Sequence, residues 1–142
     1  MNIAIGSDHA GVELKFFITQ TFRAHEWSFE DFGTHTLEST SYTLIARELA
    51  RCVDEEKFYL GFLICGTGNG MSIMANKYEN VRYAVCWNPE IARLARQHNH
   101  ANICAMPARS LKPHEAIDIV DSFISSVPEG GRHAQKVSQI KI

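Results

Sequence analysis

Five short apolar runs of strand character, alternating with stretches of helical spacing, constrain this chain more than any other feature. The runs are "NIAIGS" (2–7), "WSFEDF" (27–32), "FYLGFLIC" (58–65), "VRYAVC" (81–86) and "ANICAM" (101–106). After the first run, Leu14, Phe17, Ile18, Thr21 and Phe22 fall three and four apart, which predicts one apolar stripe with Glu13, Lys15 and Gln20 on other faces. Further helices are expected at 42–56, 70–78, 89–98 and 113–126. Strands alternating with helices imply right-handed crossovers and a mostly parallel sheet covered on both faces. No linker, internal repeat or low-complexity tract interrupts the 142 residues. The expectation is therefore a single α/β domain over 1–142: a three-layer, doubly wound, Rossmann-like fold on a five-stranded parallel sheet. Beyond the fifth repeat, "PEGGRHAQKVSQIKI" has Val137 and Ile140 three apart and predicts an extra C-terminal helix over 130–142. So thin an apolar face is marginal alone, so this helix is expected to dock on its own domain or on a second subunit.

Charge and cysteine spacing narrow the function. Fourteen basic against sixteen acidic residues give a net charge of -2, which argues against a nucleic-acid or membrane surface and makes any anion site a local one. The first strand begins at once, without a charged-then-apolar leader, and no apolar stretch approaches the roughly 18 residues that span a bilayer, so a cytoplasmic protein is expected. Cys52, Cys65, Cys86 and Cys104 are 13, 21 and 18 apart, with no C-x-x-C pair for zinc or redox exchange. Reduced, buried thiols are the default for such residues.

Cys65 stands apart because it opens the loop "CGTGNGMS" at 65–72. In an open parallel sheet ligands bind beyond the carboxyl ends of the strands, and this loop leaves such an end with three glycines. Glycine lets backbone amides converge on an anion. The loop is not a nucleotide P-loop, since no Gly-Lys-Ser/Thr follows, and it lacks the final glycine of the dinucleotide fingerprint. Helix dipole and amides can lower a thiol there from about 8.5 towards neutrality, opening attack on a carbonyl or removal of a proton beside one. The residues do not choose between these, and a bare turn closing on an inert thiol is the plainer alternative. Asp8 and His9 open the loop after strand one, where a helix cap and a surface imidazole are their ordinary roles. His98 suits acid–base work, with an unperturbed pKa of about 6.5. His98 and His100 lack a third metal ligand at convincing spacing, so no metal is expected. Arg109, Arg132, His133 and Lys136 are candidate phosphate partners, although solvated surface charge is the commoner fate.

The segments "IAIGSDHAG", "DFGT", "LICGTGNGMSIMANK", "ARLARQHN", "ANI", "IVDSF" and "EGGRH" resemble, in order and through nearly the whole chain, the type B ribose-5-phosphate isomerases and their galactose-6-phosphate isomerase relatives. The resemblance implies an aldose–ketose isomerase interconverting ribose 5-phosphate and ribulose 5-phosphate through an enediolate, with neither metal nor organic cofactor, built as a homodimer or a dimer of dimers with a cleft shared between subunits. It makes Cys65 the base that moves a proton between carbons 1 and 2. Amides from Gly66 through Gly68 and Asn69 to Gly70 hold the oxyanion, and Thr67 touches the sugar. His98 becomes the acid that opens the furanose ring. Asp8, His9 and Asn99 line the sugar site, while Arg109, Arg132 and Lys136 take the phosphate.

The chain also departs from that pattern. Met71 stands where one branch of the family has a glutamate base, which leaves Cys65 in that role. His100 replaces an aspartate, Ser41 and Thr43 an aspartate and a proline, and Pro107 a glycine. Lys136 replaces a second arginine, keeping the charge without the bidentate fork. These changes bear on substrate preference, among five- and six-carbon aldose phosphates, more than on reaction class. They also motivate a rival reading, a sugar-phosphate binding module without turnover.

Overall fold

The computed structural model describes residues 1–141. Five strands, β1 (Asn2–Ser7), β2 (Ser28–Asp31), β3 (Gly61–Cys65), β4 (Tyr83–Val85) and β5 (Ile103–Pro107), form one parallel sheet in the order β2-β1-β3-β5-β4. Six helices connect or follow them: α1 (Val12–Thr21), α2 (Tyr42–Asp54), α3 (Asn69–Ala75), α4 (Pro89–Asn99), α5 (Pro113–Ser125) and α6 (Gly131–Ser138). None of the described helices is long and apolar enough to cross a membrane.

Side-chain alternation along the strands builds two cores. Ile3, Ile5, Phe62, Ile64, Cys104 and Met106 face one side, where α1, α4 and α5 cover them. Ala4, Leu63, Cys65, Ile103 and Ala105 face the other, beneath α2 and α3. The central strands β3 and β5 are buried at every position, as strands covered on both faces must be. The chain thus forms the expected three-layer, doubly wound arrangement.

Several boundaries are tighter than the sequence pattern. β4 spans three residues rather than 81–86, because as an edge strand it pairs only with β5. α3 stops at Ala75 rather than 78, where the Asn76 side chain turns to pair with both backbone groups of Tyr83. The expected stripe on α1 is corrected too. Leu14, Ile18 and Phe22 are buried at spacings of four, but Phe17 is 42% exposed and Lys15 is buried instead. The Lys15 ammonium reaches Asp31 Oδ1 at 2.6 Å and the Thr34 carbonyl at 2.7 Å, so its charge is satisfied at the end of β2. α6 forms but ends at Ser138, leaving Ile140 beyond it; Ile142, the last residue of the expected 130–142 helix, lies outside the described residues. α6 packs on α4, consistent with docking on its own chain.

Candidate active site

The strand order reverses between β1 and β3: the chain steps outward from β1 to β2, then returns to β3 on β1's other side. Loops that leave adjacent strands in opposite directions open a crevice at their carboxyl ends. Here those ends carry Asp8 and Cys65, tied together by Asp8 N–H donating to the Ile64 carbonyl at 3.1 Å. Asp8 also plays its ordinary part as a cap, with Oδ1 accepting from the amides of Ala10 at 2.9 Å and Gly11 at 3.3 Å. The neighbouring His9 accepts at Nδ1 from the Thr40 amide at 3.4 Å, which turns its ring towards the segment before α2.

Around Cys65 the glycine loop folds back on the sulfur. The Gly68 amide donates to Sγ at 3.1 Å. Gly68 has φ +82°, a left-handed conformation that glycine adopts without penalty and that reverses the chain onto the thiol. Gly66 is needed for a different reason: the Arg109 guanidinium lies where a side chain would be, 3.0 Å from the place of a Cβ. The Arg109 amide donates to the Gly66 carbonyl, so this cation belongs to the Cys65 loop. Thr67 and Asn69 are exposed at the rim, where Thr67 Oγ1 accepts from the Asn69 amide at 3.3 Å. Tyr42, at the start of α2, covers Gly70 with its ring and is 41% exposed; the sequence reading passed over it, although a lone aromatic at a helix start opposite a glycine loop is a readable signal.

The thiol does not behave as the dipole argument anticipated. Cys65 is 5% exposed, and burial pushes its pKa up; the amides of Met71, Gly68 and Thr67 pull the other way without prevailing, and the Asp8 carboxylate adds to the rise. Stripping water from a thiolate costs more here than three amides return. The sulfur sits in the core beneath α2 and α3, with the Gly68 amide donating to it.

A second group assembles at the other edge of the sheet. α4 starts where β4 ends and runs back to the start of β5, so its last turn, with His98 and Asn99, lies about 16 Å along the helix from the carboxyl end of β4. Arg82, just before β4, confirms the place: its Nε donates to the His100 carbonyl. α6 packs on this end of α4, and a cavity of about 330 Å³ lined by His98, Asn99, His133 and Lys136 lies between them. The rings of His98 and His133 stack, with centroids 4.0 Å apart and planes within 2°. Glu129 Oε2 stands 3.8 Å from His98 Nε2 and 3.6 Å from His133 Nε2. Burial lowers the His133 pKa, and the nearby His98 and Arg132 charges add to that, while Glu129 opposes it. Three donors so close resemble a metal set, yet a cation sits in the plane of each imidazole about 2 Å from its nitrogen, and parallel planes offer no shared point. Glu129 was unassigned from sequence, though its four-residue spacing to His133 within "EGGRH" was visible.

One chain therefore gathers Asp8, His9, Cys65, the loop from Gly66 to Gly70 and Arg109 at one edge, and His98, Asn99, Arg132 and Lys136 at the other. The three basic residues read as one phosphate set are divided between the two.

Known proteins resemble this chain over nearly its whole length. A protein-family profile described as Ribose/Galactose Isomerase matches residues 3–140. Ribose-5-phosphate isomerase B of Escherichia coli (strain K12) is 41% identical over 138 residues, covering 97% of this chain and 93% of that protein. D-erythrulose-4-phosphate isomerase of Pectobacterium atrosepticum is 36% identical, covering 99% and 93%. The structure of ribose-5-phosphate isomerase B from Mycoplasma genitalium with bound ribulose-5-phosphate superposes with a TM-score of 0.93 at 36% identity, over 98% of this chain and 93% of that one.

Proposed function

The chain belongs to the ribose/galactose isomerase family, and from that premise we propose that it interconverts ribose 5-phosphate and ribulose 5-phosphate through an enediolate, with Cys65 as the base. The observation that carries this reading is the Gly68 amide donating to the Cys65 sulfur where the glycine loop leaves β3 at the β1/β3 switch point. In the open-chain aldose, the thiolate takes the proton on carbon 2. That C–H electron pair becomes the C1=C2 bond, and the carbonyl pair moves onto oxygen 1. Loop amides from Gly66 to Gly70 face the negative charge so formed, with Thr67 at the sugar. Return of the proton to carbon 1, with transfer of the carbon-2 hydroxyl proton to oxygen 1, gives the ketose.

The sugar phosphate rests mainly as a furanose, so an acid must first protonate the ring oxygen as its bond to carbon 1 breaks. His98 fills that role, with Glu129 and His133 beside it. Because His98 stands at the far edge of its own sheet, it serves the Cys65 loop of a second copy. The protein is thus a homodimer with shared clefts, as pairs or as a dimer of dimers, working in the cytoplasm. Arg109 from one copy, and Arg132 and Lys136 from the other, then meet at the phosphate, while Asp8, His9 and Asn99 hold the sugar. No cofactor enters this chemistry.

The test is turnover. Purified protein should convert ribose 5-phosphate to the ketose with hydrogen exchange at carbon 2, and Cys65→Ala should lower kcat by about a hundredfold or more. Undiminished turnover in that variant contradicts the role of Cys65; calorimetric binding of the sugar phosphate without any turnover favours a binding module. The relative named for D-erythrulose 4-phosphate makes four- to six-carbon aldose phosphates the right panel for preference.

A further inference from the structure

Next to the His98 group, but lined by none of the residues assigned to the substrate, a cavity of about 570 Å³ opens at the amino-terminal edge of the sheet, where Arg82, Arg96, His100, Asn102 and Tyr59 line it together with Glu56. Arg96 is buried, at 3% exposed. Its Nη1 donates to the Ala101 carbonyl at 2.7 Å and its Nη2 to the Tyr59 hydroxyl at 3.1 Å, and the guanidinium lies 5.3 Å from the Tyr59 ring and 5.5 Å from that of Phe123. Its Nε is buried without a partner. Arg82 donates to the carbonyls of His100 at 2.9 Å and Asn80 at 3.4 Å, which uses two of its five N–H donors.

Every hydrogen-bond acceptor of these two cations is neutral. Among the described residues neither forms an ion pair; Glu56, the acidic residue on the wall, is exposed and pairs with neither. Burial, and next the Arg96 charge, draw Arg82 below the ordinary guanidinium value, the response of a half-buried cation with a like charge nearby. Such a pair is costly unless something anionic completes it. This chain lacks the nearest internal candidate, because position 100, an aspartate in the family pattern, is histidine here, and its ring is turned away to the Glu129 carbonyl at 2.7 Å.

The geometry points to a second anion site, distinct from the isomerase centre, in which Arg82 and Arg96 hold a phosphate-type oxyanion with the Tyr59 hydroxyl as a further donor. The unused N–H groups of Arg82 form the fork that matches two oxygens of such a ligand. A volume of about 570 Å³ exceeds what bare phosphate fills, so the class it takes is a small phosphorylated metabolite rather than an inorganic ion alone. This second site stands on these residues and not on the proposed isomerase reaction.

Titration of the full chain with inorganic phosphate, followed by calorimetry and by the arginine Nε resonances, tests it. Arg132→Gln serves to remove the proposed substrate phosphate site. The expected result is a class of sites that survives Arg132→Gln, shifts the Arg82 and Arg96 resonances, and weakens about tenfold or more in Arg82→Gln. His100→Asp should weaken it similarly by supplying an internal carboxylate, and that residue tolerates the left-handed backbone at φ +51°, so this variant keeps the test open if Arg82→Gln does not fold. Absence of such a class, or its loss in Arg132→Gln alone, or its indifference to both substitutions, overturns the site.

Discussion

Cys65 is where opposing influences on one atom decide the chemistry. Burial and the Asp8 carboxylate raise its pKa while three amides lower it, and burial prevails. If the thiolate is the working form, kcat/KM should climb with pH through the neutral range and past the ordinary thiol value of about 8.5, because the folded group releases its proton later than a free one. A profile of the open-chain reaction that levels off near pH 7 contradicts this. The candidate thiol was legible in the sequence because glycines clustered behind a strand end serve a tight turn or an anion and little else. Its direction of shift was not, since burial depends on Met71 and Tyr83, which sequence does not bring to its side. Lys15 and Glu129 escaped notice for a related reason: long charged side chains look solvated until their partners, Asp31 for one and the stacked imidazoles for the other, are placed beside them.

Elements hold the crevice open through close backbone approach. The turn that starts α1 presses Gly11 onto β3 so tightly that an added Cβ would lie 2.7 Å from the Ile64 carbonyl oxygen. That atom belongs to the strand leading into Cys65, so neither side can yield cheaply. Gly11→Ala should therefore cost about 1–3 kcal/mol, read as a lower urea midpoint. Gly130→Ala is the control: nothing stands within 4 Å of its Cβ position and its φ is -81°, so its midpoint should stay within about 0.5 kcal/mol of the parent. Equal midpoints for the two variants contradict the packing account. Most elements were readable from period alone, because a strand buried on both faces and an amphipathic helix leave different spacings. The short edge strand β4 and the end of α3 were not, since the first follows from pairing with β5 alone and the second from the side chain of Asn76.

At the scale of the whole molecule, the alternation of strands and helices implied the parallel sheet, and the sheet in turn places Cys65 at a switch point. It also sets His98 at the opposite edge, a consequence of α4 running antiparallel to the strands that no local motif announces. The family resemblance joined these residues into one site, whereas a single copy of the chain separates them. On the proposed reading, catalysis on the cyclic sugar requires two copies that complete each other. Its most direct measurement is complementation: Cys65→Ala and His98→Asn chains, each nearly inactive on cyclic ribose 5-phosphate, are refolded together in equal amounts. Random pairing puts half the dimers in mixed form with one intact cleft of two, so the account predicts recovery of about a quarter of parental turnover. A mixture no more active than its two components would contradict it.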